Sequence, residues 1–97
     1  MKRVHFDISS SESSTFLHIH DGRFGREMFR ISCDSMYIAN MIQENIRHRI
    51  PDRDTCFTPL SCDDIFRLMC LIDSAVELAS HQLHKDVAKR VPVLDVR

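Results

Sequence analysis

The histidines at positions 18 and 20 are the pair in this chain best spaced to hold a metal ion. His18 and His20 lie two residues apart in the segment TFLHIH, where apolar and polar residues alternate. On a β-strand, residues two apart share a face and lie about 6.6 Å from each other. They could chelate one Zn²⁺ if His5 or Asp7 on a neighbouring strand supplied a further ligand. The alternative is that both histidines line the solvent face of an antiparallel sheet.

Two registers can be drawn for the hairpin that follows the histidines at Asp21-Gly22. A tight two-residue turn would put Phe29 and Ile31 on the polar face, where their burial is lost. A one-residue bulge at Gly25 moves both residues to the opposite, apolar face. We therefore predict the bulged register.

Arginines lie beside the histidines in either register. In the bulged register, His18 faces Arg26 and shares its side of the sheet with Arg30. In the tight register, His20 faces Arg23. A cation there opposes divalent-metal binding and suits an anion or an acidic partner, so we predict no metal site. The predicted partner-binding surface consists of His18, His20, Arg23, Arg26, Arg30, Arg47 and Arg49.

The other candidate metal ligands match no metal-binding motif. Glu77, His81 and His84 are spaced to share one face of a helix, but they lack the two-histidine motif of zinc proteases. An amphipathic helix needs polar residues opposite its apolar side, and these three residues lie on that polar side. The four cysteines contain no C-x-x-C pair. We predict free thiols and no bound cofactor.

The glycines supply no motif for phosphate binding or catalysis. Gly22-x-x-Gly25 has the spacing of the KH-domain loop that clamps a nucleic-acid backbone. Asp21 stands where that loop has an isoleucine, however, and a strand rather than a helix leads into it. Two glycines are too few for a P-loop or a dinucleotide fingerprint, and no serine lies in a nucleophile elbow. We expect no catalytic residues and no enzymatic activity.

Apolar and polar residues alternate with a period of two in the first third of the chain, which predicts strands. In most of the remaining chain the spacing of the apolar residues predicts helices. The predicted fold is α+β, a small antiparallel sheet packed against two helices in one domain, residues 1–97. The strands are expected over 3–8, 15–20 and 26–32, with the loop SSSESS between the first two.

Apolar residues three and four apart predict the two helices. The first spans 36–49, and Pro51 ends it. The second spans 62–90 and is apolar over a wider arc than a small sheet can cover. At about 1.5 Å per residue it would be about 40 Å long, so we expect a break near Ser80 or a protruding end. The apolar tail 91–96 is expected to form an edge strand or to join a partner's sheet.

Charge and composition limit the partners and the compartment. The net charge is −1 and neither half of the chain is a strong polyelectrolyte, so attraction to nucleic acid or membranes is not indicated. Ten of the thirteen basic residues are arginine, which favours interfaces. The N-terminal segment lacks an apolar signal region and no run is long enough to span a membrane, so we expect a cytoplasmic protein.

These observations favour a small intracellular protein-binding module, an adaptor or inhibitor that occupies a surface of a larger complex. Accessory proteins of phages and other mobile elements are often of this kind, although that analogy rests on no motif. Surplus apolar surface on the 62–90 helix could also close a homodimer. The first alternative is a nucleic-acid-binding protein that uses the same arginines. The second alternative is a histidine-based metal-binding protein.

Overall fold

The computed structural model describes residues 4–22, 25–50 and 60–93. The elements in these ranges are, in order, β1 (Val4–Ser10), β2 (Thr15–Asp21), β3 (Glu27–Cys33), α1 (Met36–Arg49), α2 (Cys62–Leu83) and β4 (Ala88–Val91). The strands form one antiparallel sheet in the order β1-β2-β3-β4, packed with the two helices. The predicted α+β fold is confirmed.

β1 and β2 form a regular hairpin. Their ladder runs without a break from the pair Val4–Asp21 to the pair Ser10–Thr15. The serine-rich segment is the turn, closed by a 2.8 Å hydrogen bond from the Ser11 N–H to the Ser14 carbonyl oxygen. β1 therefore extends past the predicted end at residue 8, because its last residues still pair with β2.

The bulge that aligns β2 with β3 lies within β3 rather than in the turn. Ile19 pairs with Phe29, whereas the next residue, His20, pairs with Glu27, so Met28 is the extra residue. As predicted, a bulge places Phe29 on the apolar face, where it is 9 % exposed. The face assignment was right and the predicted position of the bulge was wrong.

The connection between β2 and β3 covers positions 22–26, one residue later than the 21–25 left by the predicted strand bounds. The Asp21 N–H donates to the Arg26 carbonyl oxygen at 3.1 Å. Gly25 lies so close to the Asp21 carbonyl that a Cβ would overlap its oxygen. Gly22 has a φ of 76°, in the left-handed region that glycine tolerates best. Both glycines thus serve the turn, and the predicted bulge at Gly25 is not found.

α1 has the predicted bounds, 36–49. The Ser35 hydroxyl accepts a hydrogen bond from the Ile38 N–H at 3.3 Å and caps the first turn. Ile50 is already extended, as expected for a residue that precedes proline. The buried stripe of the helix consists of Ile38, Ala39, Ile42 and Ile46.

α2 ends at Leu83, so the predicted helix over 62–90 is wrong beyond that residue. His84 adopts the left-handed conformation, with φ 56° and ψ 30°. The Lys85 N–H then donates to the Ser80 carbonyl oxygen at 3.1 Å, a Schellman-type closure near the expected break. The chain turns back because Val87 is buried at 1 % exposure and the next residues pair with β3.

The fourth strand, Ala88–Val91, lies at the edge of the sheet and falls mostly within the predicted helix. Of the tail 91–96 that was expected to form an edge strand or to join a partner's sheet, only Val91 belongs to a strand in the described residues. Arg90 ties β4 to α2, because its Nε donates to Asp73 Oδ1 at 2.9 Å. Pro92 follows the strand, where a missing N–H costs no ladder bond. Residues 94–96 of the predicted tail strand lie outside the described residues.

Both helices pack on one face of the sheet. The buried cluster draws its sheet residues from a single face, with Leu17, Ile19 and Ile31 fully buried against the helices. In the part of the chain that the structure describes, the opposite face has no helix over it. Neither described helix has the length and apolar character that crossing a membrane requires.

Candidate functional site

The uncovered face of the sheet carries the histidines that the sequence singled out. Strand pairing and alternation place polar and aromatic side chains from all four strands on this face. We call this set the polar face: His5, Asp7, Ser9, Phe16, His18, His20, Glu27, Arg30, Ser32 and Lys89.

Glu27 lies at the centre of the hydrogen bonds on the polar face. Its Oε1 accepts from Arg30 Nε at 2.9 Å and its Oε2 from Arg30 Nη2 at 2.9 Å. His18 Nδ1 lies 2.7 Å from the same Oε1. The hydrogen bonds from Arg30 lower the pKa of Glu27 from 4.5 to about 2, with a smaller contribution from His18 and against the effect of burial. The carboxylate therefore stays ionised at neutral pH.

These three side chains are well covered for an open sheet face. The exposed fractions are 14 % for Glu27, 16 % for His18 and 24 % for Arg30. Hydrogen bonds in such surroundings are less weakened by water than those of an exposed ion pair. The three side chains are therefore held to one another by hydrogen bonds that water competes with only partly.

His18 connects Glu27 to Ser9. The Ser9 hydroxyl oxygen lies 2.7 Å from His18 Nε2, on the other side of the ring from Glu27. Because ionised Glu27 can only accept, Nδ1 of His18 donates to it, and in that tautomer of the imidazole Nε2 can accept from the Ser9 hydroxyl. This hydroxyl–imidazole–carboxylate order is that of an activated nucleophile.

Sequence reasoning missed Ser9 and Glu27 as site residues. In a regular strand, Glu27 and Arg30 would point to opposite faces, and the extra residue Met28 brings them to the same one. Ser9 joins the site because β1 continues past residue 8. The acidic residue three positions before Arg30 was the available signal. Its spacing indicates a shared face only when a bulge lies between the two residues.

A row of rings crosses β1 and β2 on the polar face. Ring centroids are separated by 6.2 Å between Phe16 and His18, 6.5 Å between His18 and His20, and 6.1 Å between His20 and His5. The Arg30 guanidinium lies 6.0 Å from the Phe16 ring centroid, within cation–π range. Aromatic side chains and arginine are enriched at the centres of protein interfaces.

Arg47 and Arg49 lie on the helical layer, so the structure does not bring them to the histidines. The Arg47 guanidinium is 5.6 Å from the ring centroid of Phe6, on the apolar side of β1. Arg49 Nη1 donates to the Ser74 hydroxyl of α2 at 3.0 Å. Both side chains help to join elements of the fold.

Arg26, another arginine of the predicted surface, belongs to the β2–β3 turn. Arg26 is exposed just before β3 and forms no ion pair with a described residue. Arg23 lies outside the described residues. Arg30, rather than the predicted Arg26, stands opposite His18 in the ladder.

The polar face does not have the arrangement of a metal site. Both ring nitrogens of His18 are engaged, one by Ser9 and one by Glu27. Within residues 4–22, 25–50 and 60–93, no group of three or more histidine, cysteine or acidic side chains is placed to hold a metal ion.

The described cysteines are free thiols, as predicted. Cys62 and Cys70 are exposed, whereas Cys33 is buried in the core. Burial raises the pKa of Cys33 to about 11, so its thiolate is scarce at neutral pH.

No protein-family model, curated protein or solved structure matches this chain.

A cavity of 560 Å³ lies at the other side of the molecule, where α1 ends and α2 begins. Its walls include Ile50, Leu60, Leu68 and Leu71, and no residue of the polar face lines it. Ser9 is exposed and His18 lies on the sheet face that no described helix covers. Such a surface suits a flat macromolecular partner better than a small enclosed ligand.

Proposed function

We propose that the protein is a small protein-binding module whose polar face occupies a surface of a larger partner, as an adaptor or an inhibitor. The observation that carries this proposal is the hydrogen-bonded cluster of His18, Glu27 and Arg30 on a sheet face that neither described helix covers. Side chains that are already fixed lose less conformational freedom on binding, which favours affinity.

The charge of the polar face favours a protein over a nucleic acid. Asp7 and Glu27 balance Arg30 and Lys89, and Arg30 is already committed to Glu27. Affinity for nucleic acid depends on cations that are free to neutralise phosphates. We expect no shift of a labelled oligonucleotide even at low salt, and a salt-sensitive shift would favour the nucleic-acid alternative.

Photo-crosslinking can locate the docking surface. We expect benzoylphenylalanine in place of Phe16 to give an adduct of one defined mass on irradiation in an extract of the native cell. The matched control is the same replacement at Phe66, an aromatic residue of α2 that is 61 % exposed. This control should give no such adduct, because it lies away from the polar face.

Arg26→Glu provides the second arm of that experiment. Reversing a charge at the rim of an interface should lower the yield of the Phe16 adduct roughly tenfold and leave the thermal midpoint nearly unchanged. Equal adducts at Phe16 and Phe66, or none at Phe16, would overturn the proposal. A large loss of stability would mean that Arg26 is structural.

The chain from Ser9 through His18 to Glu27 favours a second candidate function, acyl transfer from an activated ester to Ser9. The Ser9 oxygen would form a bond to the carbonyl carbon as its proton passes to His18 Nε2. The same proton would then go to the departing alcohol as the carbon–oxygen bond breaks. Ionised Glu27 would stabilise the imidazolium throughout. The expectation of no enzymatic activity stays a prediction.

A fluorophosphonate probe tests this candidate directly. We expect labelling of Ser9, located by peptide fragmentation, to fall by about a hundredfold in His18→Ala and Glu27→Gln proteins if the relay activates the hydroxyl. Ser13, an exposed serine in the neighbouring turn, is the internal control. Labelling of Ser9 no faster than that of Ser13 would eliminate acyl transfer and leave the protein-binding proposal untouched.

A further inference from the structure

The two edges of the sheet are built differently. β4 is four residues long, carries Lys89 and Arg90, and is followed by Pro92, all of which discourage further strand pairing. β1 is seven residues long, contains no proline, lysine or arginine, and pairs with β2 without a bulge. In the described ranges, no strand pairs with its outer side. One edge is protected and the other is open.

We propose that the open edge of β1 pairs with β1 of a second copy of this chain, antiparallel, about a twofold axis at Phe6. Residues directly opposite each other in an antiparallel ladder point to the same face. In this register Phe6 meets the partner's Phe6, and Val4 meets the partner's Ile8 on the apolar face. On the polar face, His5 meets the partner's Asp7, and the pair occurs twice by symmetry.

Other symmetric registers are less complementary. An axis at Asp7 would place two carboxylates opposite each other, which opposes pairing. An axis at His5 would pair two imidazoles and leave fewer residues of the described strand in the ladder. An axis at Ile8 would place Asp7 opposite a serine. Of these registers, only the one at Phe6 places an imidazole opposite a carboxylate and pairs apolar residues with apolar ones.

The apolar side of β1 is also incompletely covered by the described residues of its own chain. Val4 is buried, but Phe6 and Ile8 are only half-buried beside α1. Pairing would extend the apolar layer across the two copies. It would also join the two polar faces into one continuous surface, and it differs from the predicted homodimer through the second helix, which stays a prediction.

Disulfide trapping between two different cysteine variants can determine the register of the proposed dimer. In a background where Cys56, Cys62 and Cys70 are serine, we expect an equimolar mixture of His5→Cys and Asp7→Cys proteins to form a disulfide dimer under mild oxidation. Neither protein alone should do so, because identical positions are not opposite each other and a disulfide needs Cα atoms within about 7 Å. Glu12→Cys, exposed in the turn, is the control for random collisions.

Every outcome of the trapping experiment is informative. Crosslinking of His5→Cys alone or of Asp7→Cys alone would show that the strands pair in a different register from the one proposed. Crosslinking of the mixture no stronger than that of the Glu12→Cys control would overturn the proposed pairing of β1 strands. Light scattering on the unmodified protein at high micromolar concentration should give twice the chain mass of 11.3 kDa. A monomer mass throughout would end the proposal.

Charge exchange supplies an independent check. His5→Asp places a carboxylate opposite the partner's Asp7 and should weaken the dimer roughly tenfold. The double variant His5→Asp, Asp7→His restores opposite pairing and should recover most of the affinity. The thermal midpoint of each protein shows whether the monomer fold is intact, and a double variant as weak as the single one would contradict the register.

Discussion

Gly25→Ala should lower the free energy of unfolding by about 3 kcal/mol, a large effect for a surface turn. The added Cβ would overlap the Asp21 carbonyl oxygen, so the backbone must move. Asp21 has little freedom to move, because it pairs with Val4 and its N–H donates to Arg26. Its carboxylate also accepts from the Leu60 N–H at 3.1 Å, next to the start of α2.

The measurement is thermal unfolding followed by circular dichroism. In a domain of this size, about 3 kcal/mol corresponds to a fall in Tm on the order of 15 °C. Gly22→Ala is the matched control in the same turn, since its positive φ costs alanine only about 1 kcal/mol. If Gly25→Ala is no more destabilising than Gly22→Ala, the turn relaxes more easily than its contacts indicate.

Local patterns were sufficient to predict the helix α1 but not the end of α2. For α1, the apolar spacing and Pro51 both act within a few residues of its bounds. Beyond Leu83, Val87 and Val91 continue the four-residue spacing of a helix. The chain leaves the helix because pairing with β3 buries Val87. A contact between segments more than fifty residues apart in sequence has no local signature.

Local patterns were likewise sufficient to predict some features of the candidate site but not others. Alternation correctly placed His18 and His20 on the side of the sheet away from the apolar residues. The position of Glu27 depends on the bulge at Met28, and that of Ser9 on how far β1 continues alongside β2. Both depend on ladder pairing rather than on residue type. An arginine does lie opposite His18, as predicted, but it is Arg30 rather than Arg26.

Glu27→Gln should cost about 2 kcal/mol of stability at pH 7, and this cost should vanish in acid. The pKa of Glu27 falls from 4.5 in the unfolded chain to about 2 in the folded protein, chiefly through Arg30. A depressed pKa stabilises the fold fully above the unfolded value. The contribution is lost as the pH falls from about 4.5 to about 2, where both states become protonated.

The decisive quantity is the difference in unfolding free energy between the wild type and Glu27→Gln across that range. It should be constant from pH 7 to about 5 and approach zero near pH 2. Glu44→Gln is the control, because Glu44 is 55 % exposed and the nearest nitrogens of Arg47 and His48 lie 4.0 and 3.8 Å from its carboxylate. That substitution should change stability by less than about 0.5 kcal/mol at any pH.

A difference that persists unchanged at pH 2 would mean that Glu27 acts through packing rather than through its charge. The expected result would instead make Glu27→Gln a tool for the proposed function. The variant keeps most of its stability at neutral pH, while His18 and Arg30 lose the ionised partner that fixes them. Adduct formation at Phe16 should then fall in a folded protein, because the partner would have to order these side chains itself.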